Sequence, residues 1–182
     1  MLKKHETIMK RAMCPDKNDL AKVGFENGFY YAANGYLIVR SEDRPSTLPI
    51  FDDTENHPNY SKYFETACDV PYHDVTIPYT VQEIRDWIKD CRKRALRFPF
   101  KLGTRDSTYW VGINPKFLAD AMETTKSNVV SVPEKGHMLL MQGNGFVWLI
   151  MPIALRGDEK DKNMTDIDEV RAIVEKVMVE AR

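Results

Sequence analysis

The residues most able to do chemistry lie in the second quarter of the chain. Cys68 stands shortly before His73-Asp74, and a thiol near an imidazole and a carboxylate has the composition of a nucleophilic site. No third group or oxyanion-hole motif accompanies them, so thiol catalysis is not expected. Asp52-Asp53-Thr54-Glu55-Asn56-His57 gathers carboxylates of the kind that hold hard divalent cations. It lacks EF-hand spacing and the EF-hand glycine, and a solvated acidic loop is the simpler reading. No metal is assigned, although a metal-dependent enzyme built on 52–57 remains the alternative function. Gly143-Asn144-Gly145 belongs to neither of the glycine-rich phosphate-binding patterns, and a hairpin accounts for it. His5 and His137 read as surface or satisfied residues. The expectation is a non-enzymatic chain without cofactor.

Charge offers a second chemistry. The net charge of −1 conceals an acidic stretch, 45–84, with seven acids and one base, followed by a basic stretch, 85–105, with eight bases and two acids. The basic block includes Arg92, Lys93, Arg94 and Arg97. Local potential governs encounter with phosphate, so this block is a secondary candidate for nucleic acid. The plainer reading is that adjacent acidic and basic segments screen each other. Aromatic interleaving around Cys91–Arg97 is thin, with Trp87 nearby, which gives stacking recognition little support.

At 182 residues the chain suits one core, with or without attachments. Its longest apolar run, Phe146 to Leu155, is about half of what a membrane-spanning helix needs. MLKKHETIMKRAM is charged throughout and lacks the apolar centre of a signal peptide. Cys14, Cys68 and Cys91 have no CxxC spacing and fit a reducing compartment. The cytoplasm is the expected location, with no membrane partner.

The elements that must position these residues follow from periodicity. Leu2 to Met13 reads as a short amphipathic helix ended by Pro15. Three strands follow, Ala21–Phe25, Phe29–Ala33 and Tyr36–Ser41, with Asn34-Gly35 expected to form a type I′ turn. Residues 42–80, punctuated by five prolines, read as a long excursion with little regular structure. Thr80 and Glu83 form a capping box for a helix from Val81 to about Leu96, with Ile84, Trp87, Ile88 and Cys91 as its buried stripe. Strands are expected at Arg97–Leu102 and Thr108–Ile113. Asn114 then caps a helix that Pro115 opens, with Phe117, Leu118, Ala121 and Met122 facing the core. Asn128–Val132, His137–Met141 and Phe146–Ile150 complete the strands. A polar linker leads to a final amphipathic helix carrying Ile167, Val170, Val174, Val177 and Ala181. Folding back on its own domain suits that helix better than pairing with a twin.

Helix plus three strands thus occurs twice, which marks an internal repeat. Two stretches carry a resemblance to the bacterial DNA polymerase III beta sliding clamp. Asn114-Pro115-Lys116 opens a helix, and Leu149-Ile150-Met151-Pro152 ends the last strand, as in the last repeat of that family. Tyr31-Ala32-Ala33-Asn34-Gly35-Tyr36-Leu37 looks like the family's Ala-Thr-Asp-Gly-Tyr/His-Arg-Leu hairpin. Asn34 replaces Asp, Leu37 stands where clamps have Arg, and Ala154 removes the Arg of the Met-Pro-Met-Arg-Leu ending.

The resemblance implies an α+β, DNA-clamp-like fold made of two helix-plus-antiparallel-sheet half-repeats. Residues 1–156 would form the domain, with half-repeats 1–41 and 108–156 and an insertion at about 42–107. Residues 157–182 would add the linker and helix. It implies a binding protein of DNA replication or repair that encircles DNA or takes clamp-motif peptides. Tyr36, Leu37, Met151, Pro152, Ile153 and Leu155 would line the peptide groove, and Lys3, Lys4, Lys10 and Arg11 would face double-stranded DNA without reading its sequence. A ring would require several copies, hence a homo-oligomer. A scaffold or oligomerisation module that has lost its pocket is the third reading.

Overall fold

The computed structural model describes residues 2–52, 57–93, 100–102, 111–133 and 137–153. Four helices are present there: α1 (Leu2–Ala12), α2 (Tyr60–Cys68), α3 (Val81–Lys93) and α4 (Pro115–Thr125). The strands are β1 (Gly24–Glu26), β2 (Phe29–Ala33), β3 (Leu37–Ser41), β4 (Tyr72–Thr76), β5 (Phe100–Leu102), β6 (Val111–Ile113), β7 (Val129–Pro133), β8 (Leu139–Gly143) and β9 (Phe146–Ile150). Seven of them form an antiparallel sheet in the order β1-β2-β3-β9-β8-β7-β4, and β5 and β6 make a separate pair. The β3–β9 ladder, from Leu37–Ile150 to Ser41–Phe146, joins the two half-repeats into one sheet.

Successive strand residues point to opposite faces, and here each face has its own cover. Ala32, Leu37, Val39, Met141, Trp148 and Ile150 form one side of the main core. Ile8 and Met9 of α1, Ile84 and Trp87 of α3, and Leu118 and Met122 of α4 belong to the same core. Tyr31, Ala33, Ile38 and Leu149 point the other way, into a second core with Tyr60, Phe64 and Ala67 of α2. Burial on both sides explains the unbroken apolar run Leu37-Ile38-Val39, where a half-solvated strand would alternate.

The expected caps are present. Thr80 and Glu83 close the capping box of α3, with the Thr80 N–H donating to the Glu83 carboxylate at 2.7 Å and the Glu83 N–H to Thr80 Oγ1 at 3.2 Å. Asn114 Oδ1 accepts from the Lys116 N–H at 3.0 Å, ahead of Pro115.

Two expectations need correction. The 42–80 stretch is not an irregular excursion, because it supplies α2 and β4, and β4 pairs with β7 along its whole length. Asn34-Gly35 is not a type I′ turn, since only Gly35 has positive φ and Asn34 Oδ1 accepts from the Tyr36 N–H at 3.0 Å. Positive φ at both positions occurs at Asn27-Gly28 and Asn144-Gly145. Trp87 is 5% exposed in the core, in keeping with the buried stripe expected for α3. The strand expected at Arg97–Leu102 is described over Phe100–Leu102, where it pairs with the leading strand of the second half-repeat. The turn at 103–106 and the C-terminal linker and helix lie outside the described residues.

Candidate functional site

The site begins where β9 ends. One register step beyond the Leu37–Ile150 pair, the Met151 N–H donates to the Tyr36 carbonyl at 2.8 Å. Two residues later the chain changes sheet, and Ile153 exchanges both backbone hydrogen bonds with Gly112 of β6 at 2.8 and 2.9 Å. Met151-Pro152-Ile153 therefore lies on the seam between the two sheets. Tyr36 is 64% exposed, Met151 48% and Ile153 39%, while Pro152 is half-buried. Large apolar side chains stay accessible there beside a well-packed core, which makes the seam a candidate binding surface.

The β8–β9 register carries the row onward, because Leu139 faces Ile150 and so Met138 falls opposite Met151. Directly opposed residues project to the same face, which here is the α2 face. Between this row and α2 runs a groove of about 450 Å³ lined by Tyr63, Ala67, Met138 and Met151, with Lys62 and His137 among its polar residues. Methionine adapts to varied apolar partners, so two of them on one floor suit a binding surface.

Several contacts hold α2 in place. Glu26 of β1 accepts from the Tyr60 N–H at 3.2 Å and the Ser61 N–H at 2.7 Å, which places a carboxylate on the positive end of the helix. Asn59 Oδ1 accepts from the Lys62 N–H at 3.1 Å. Arg40 lies over the rings of Phe29 and Phe64, 4.3 and 4.8 Å from their centroids, so it seats α2 and does not reach the groove. Gly24 leaves room for Tyr60, whose ring a Cβ there would meet at 2.5 Å.

The other candidates are distributed as follows. Leu37 is 2% exposed and belongs to the helix-side core, so it is a packing residue and not a groove wall. Its register opposite Ile150 decides this, since both point to the helix layer. Leu155 lies outside the described residues. Lys10 is exposed on α1. Arg11 donates to Asp120 of α4 at 3.3 Å, and Arg85 of α3 reaches both Asp120, at 3.4 Å, and Glu123. Burial pushes the Asp120 carboxyl up, while Arg11 and Arg85 pull it down. The side chains of Lys3, Lys4, Arg92 and Lys93 lie outside the described residues, as do Arg94 and Arg97.

Of the catalytic alternatives, Cys68 is exposed at the end of α2, and Asp74 accepts from Ser131 Oγ at 2.6 Å across the sheet. Among the described residues no three His, Cys, Asp or Glu side chains are grouped to hold a metal, and 53–56 lie outside them. No described helix is long and apolar enough to cross a membrane.

Solved structures resemble this arrangement. The Helicobacter pylori beta clamp bound to a DNA ligase peptide superposes with a TM-score of 0.55 at 14% identity, covering 83% of this chain and 62% of that one. The DNA polymerase III beta subunit of Thermotoga maritima gives 0.54 at 12%, covering 85% and 64%. The H. pylori clamp in complex with diflunisal gives 0.53 at 13%, covering 84% and 64%. The chain has the fold of a beta sliding clamp. It spans less than two thirds of the length of those clamps. No protein-family model and no curated protein matches the sequence. Within this clamp-like fold, Tyr36 and Met151 were legible through the two motifs. Lys62, Tyr63 and Met138 were missed because their wall depends on α2, which the sequence did not announce.

Proposed function

We propose that this chain is a non-enzymatic, clamp-like binding protein of DNA replication or repair, working in the cytoplasm, that takes clamp-motif peptides of partner proteins. The observation that carries the reading is the exposed row of Tyr36, Met151 and Ile153 at the sheet seam, beside the α2 groove. The clamp fold supports it, and a DNA ligase peptide is the ligand of one H. pylori structure with that fold. An extended peptide gains affinity there by placing apolar side chains against Met151 and Tyr36.

Encirclement of duplex DNA by several copies is the other route to a clamp-like role. A phosphate-tracking surface needs free cations. Arg11 and Arg85 are instead engaged with Asp120 and Glu123 on the helix layer, which favours the peptide route.

Fluorescence anisotropy with a labelled Gln-x-x-Leu-x-Phe peptide tests the reading. Met151→Ala is expected to weaken binding by about tenfold, the effect of losing one well-packed anchor. Equal affinity of wild type and variant would overturn it.

A further inference from the structure

We propose that α2 makes the groove selective for a partner segment that carries a carboxylate beside its apolar residues, with Lys62 receiving that carboxylate. The proposal rests on the peptide-binding reading of the same groove and adds a charge requirement to it.

The groove's charge balance carries the argument. Its apolar floor and wall come from Met138, Met151, Tyr63 and Ala67, and among the described residues no carboxylate lines it. Two of its polar side chains, Asn59 and Thr66, are already engaged. Asn59 Oδ1 accepts from the Lys62 N–H and from Ser61 Oγ, and Thr66 Oγ1 donates to the Lys62 carbonyl. The first N–H groups of α2 are taken by Glu26, so the helix end itself is not available to an anion. The Lys62 ammonium remains, exposed and without an ion pair among the described residues, in a groove that His137 also lines. A cation at the mouth of an apolar groove attracts a partner of opposite sign and disfavours one of like sign. The volume of about 450 Å³ suits a few side chains of an extended segment.

The experiment uses the full chain and three labelled peptides that share the same Leu and Phe. They differ only in Glu, Gln or Lys at the position flanking those residues. At low ionic strength the Glu peptide is expected to bind about three- to fivefold more tightly than the Gln peptide, the range for a partly exposed ion pair. The difference should shrink at about 0.5 M salt, where such pairs are screened. Lys62→Glu should reverse the order, so that the Lys peptide binds best. That substitution spares the fold, because position 62 is the third residue after the Asn59 cap, where Glu supports a helix start. Met151→Ala should weaken all three peptides by one factor and keep their ratios.

Equal binding of the Glu and Gln peptides, or an order that Lys62→Glu leaves unchanged, overturns the charge requirement while the peptide reading stands. Failure of all three peptides to bind overturns both. Self-association in light scattering that Lys62→Glu abolishes means that a second copy fills the groove, and also overturns the proposal.

Discussion

The main-chain N–H of Met151 donates to the carbonyl of Tyr36 across 2.8 Å. This bond extends the β3–β9 ladder by one step, so the end of the second half-repeat lies against the hairpin of the first. Two exposed side chains far apart in sequence thereby share one row on the sheet, and the inserted helix α2 raises a wall beside it.

The seat of α2 depends on the absence of a side chain at Gly24. A Cβ there would meet the Tyr60 ring at 2.5 Å, and Tyr60 is fully buried against Tyr31. Gly24→Ala is expected to lower stability by about 1–3 kcal/mol, the usual result of overpacking a core. The midpoint of urea denaturation measures this, and an unshifted midpoint would contradict the placement of α2.

Glu6 ties α1 to the following loop. Its carboxylate accepts from the Ser46 N–H, from Ser46 Oγ at 2.6 Å, and from the Thr47 N–H and Oγ1 at 2.7 and 2.8 Å. These bonds favour the ionised form and hold the carboxyl down to about 2, below its ordinary 4.5. A depressed pKa contributes stability that is fully present above about 4.5 and is lost as the pH falls through about 2. Glu6→Gln should therefore flatten the acid limb of stability between those pH values. An acid limb as steep as that of the wild type would argue against the clasp.

The helix layer bears on DNA. Arg11 and Arg85 reach the Asp120 carboxylate, and Arg85 also pairs with Glu123. Asp120→Asn with Glu123→Gln should release both arginines and strengthen duplex binding at low salt. If both then meet phosphate, the plot of log affinity against log salt should steepen by about two units of slope. A filter-binding series across salt concentrations reads this out, and identical slopes would mean that the helix layer does not face DNA.

Local chemistry made α3 and α4 legible in the sequence, because Thr80 with Glu83 and Asn114 with Pro115 cap their helices through neighbours a few residues away. The start of α2 has a local cap in Asn59, but its first N–H groups go to Glu26 of β1, 34 positions upstream of Tyr60, which no local pattern shows. Ser61, Tyr63, Thr66 and Cys68 are indifferent helix formers, and packing of Tyr60, Phe64 and Ala67 on the sheet decides the matter. β4 was equally obscure, being a strand with only Val75 buried. The groove was half-legible for the same reason: Tyr36 and Met151 sit in recognisable motifs, whereas Lys62 and Tyr63 depend on that unseen helix. Leu37 shows the limit of motif reading, because the side of the sheet it takes follows from its register with Ile150.

Peptide binding at the seam is tested most directly by titrating the isotopically labelled protein with an unlabelled clamp-motif peptide and following amide chemical shifts. Saturable shifts concentrated at Tyr36, Tyr63, Met138, Met151 and Ile153 are expected, with α1 and α4 unmoved. Saturable shifts confined to the helix layer, or none at any of these five residues, would contradict it.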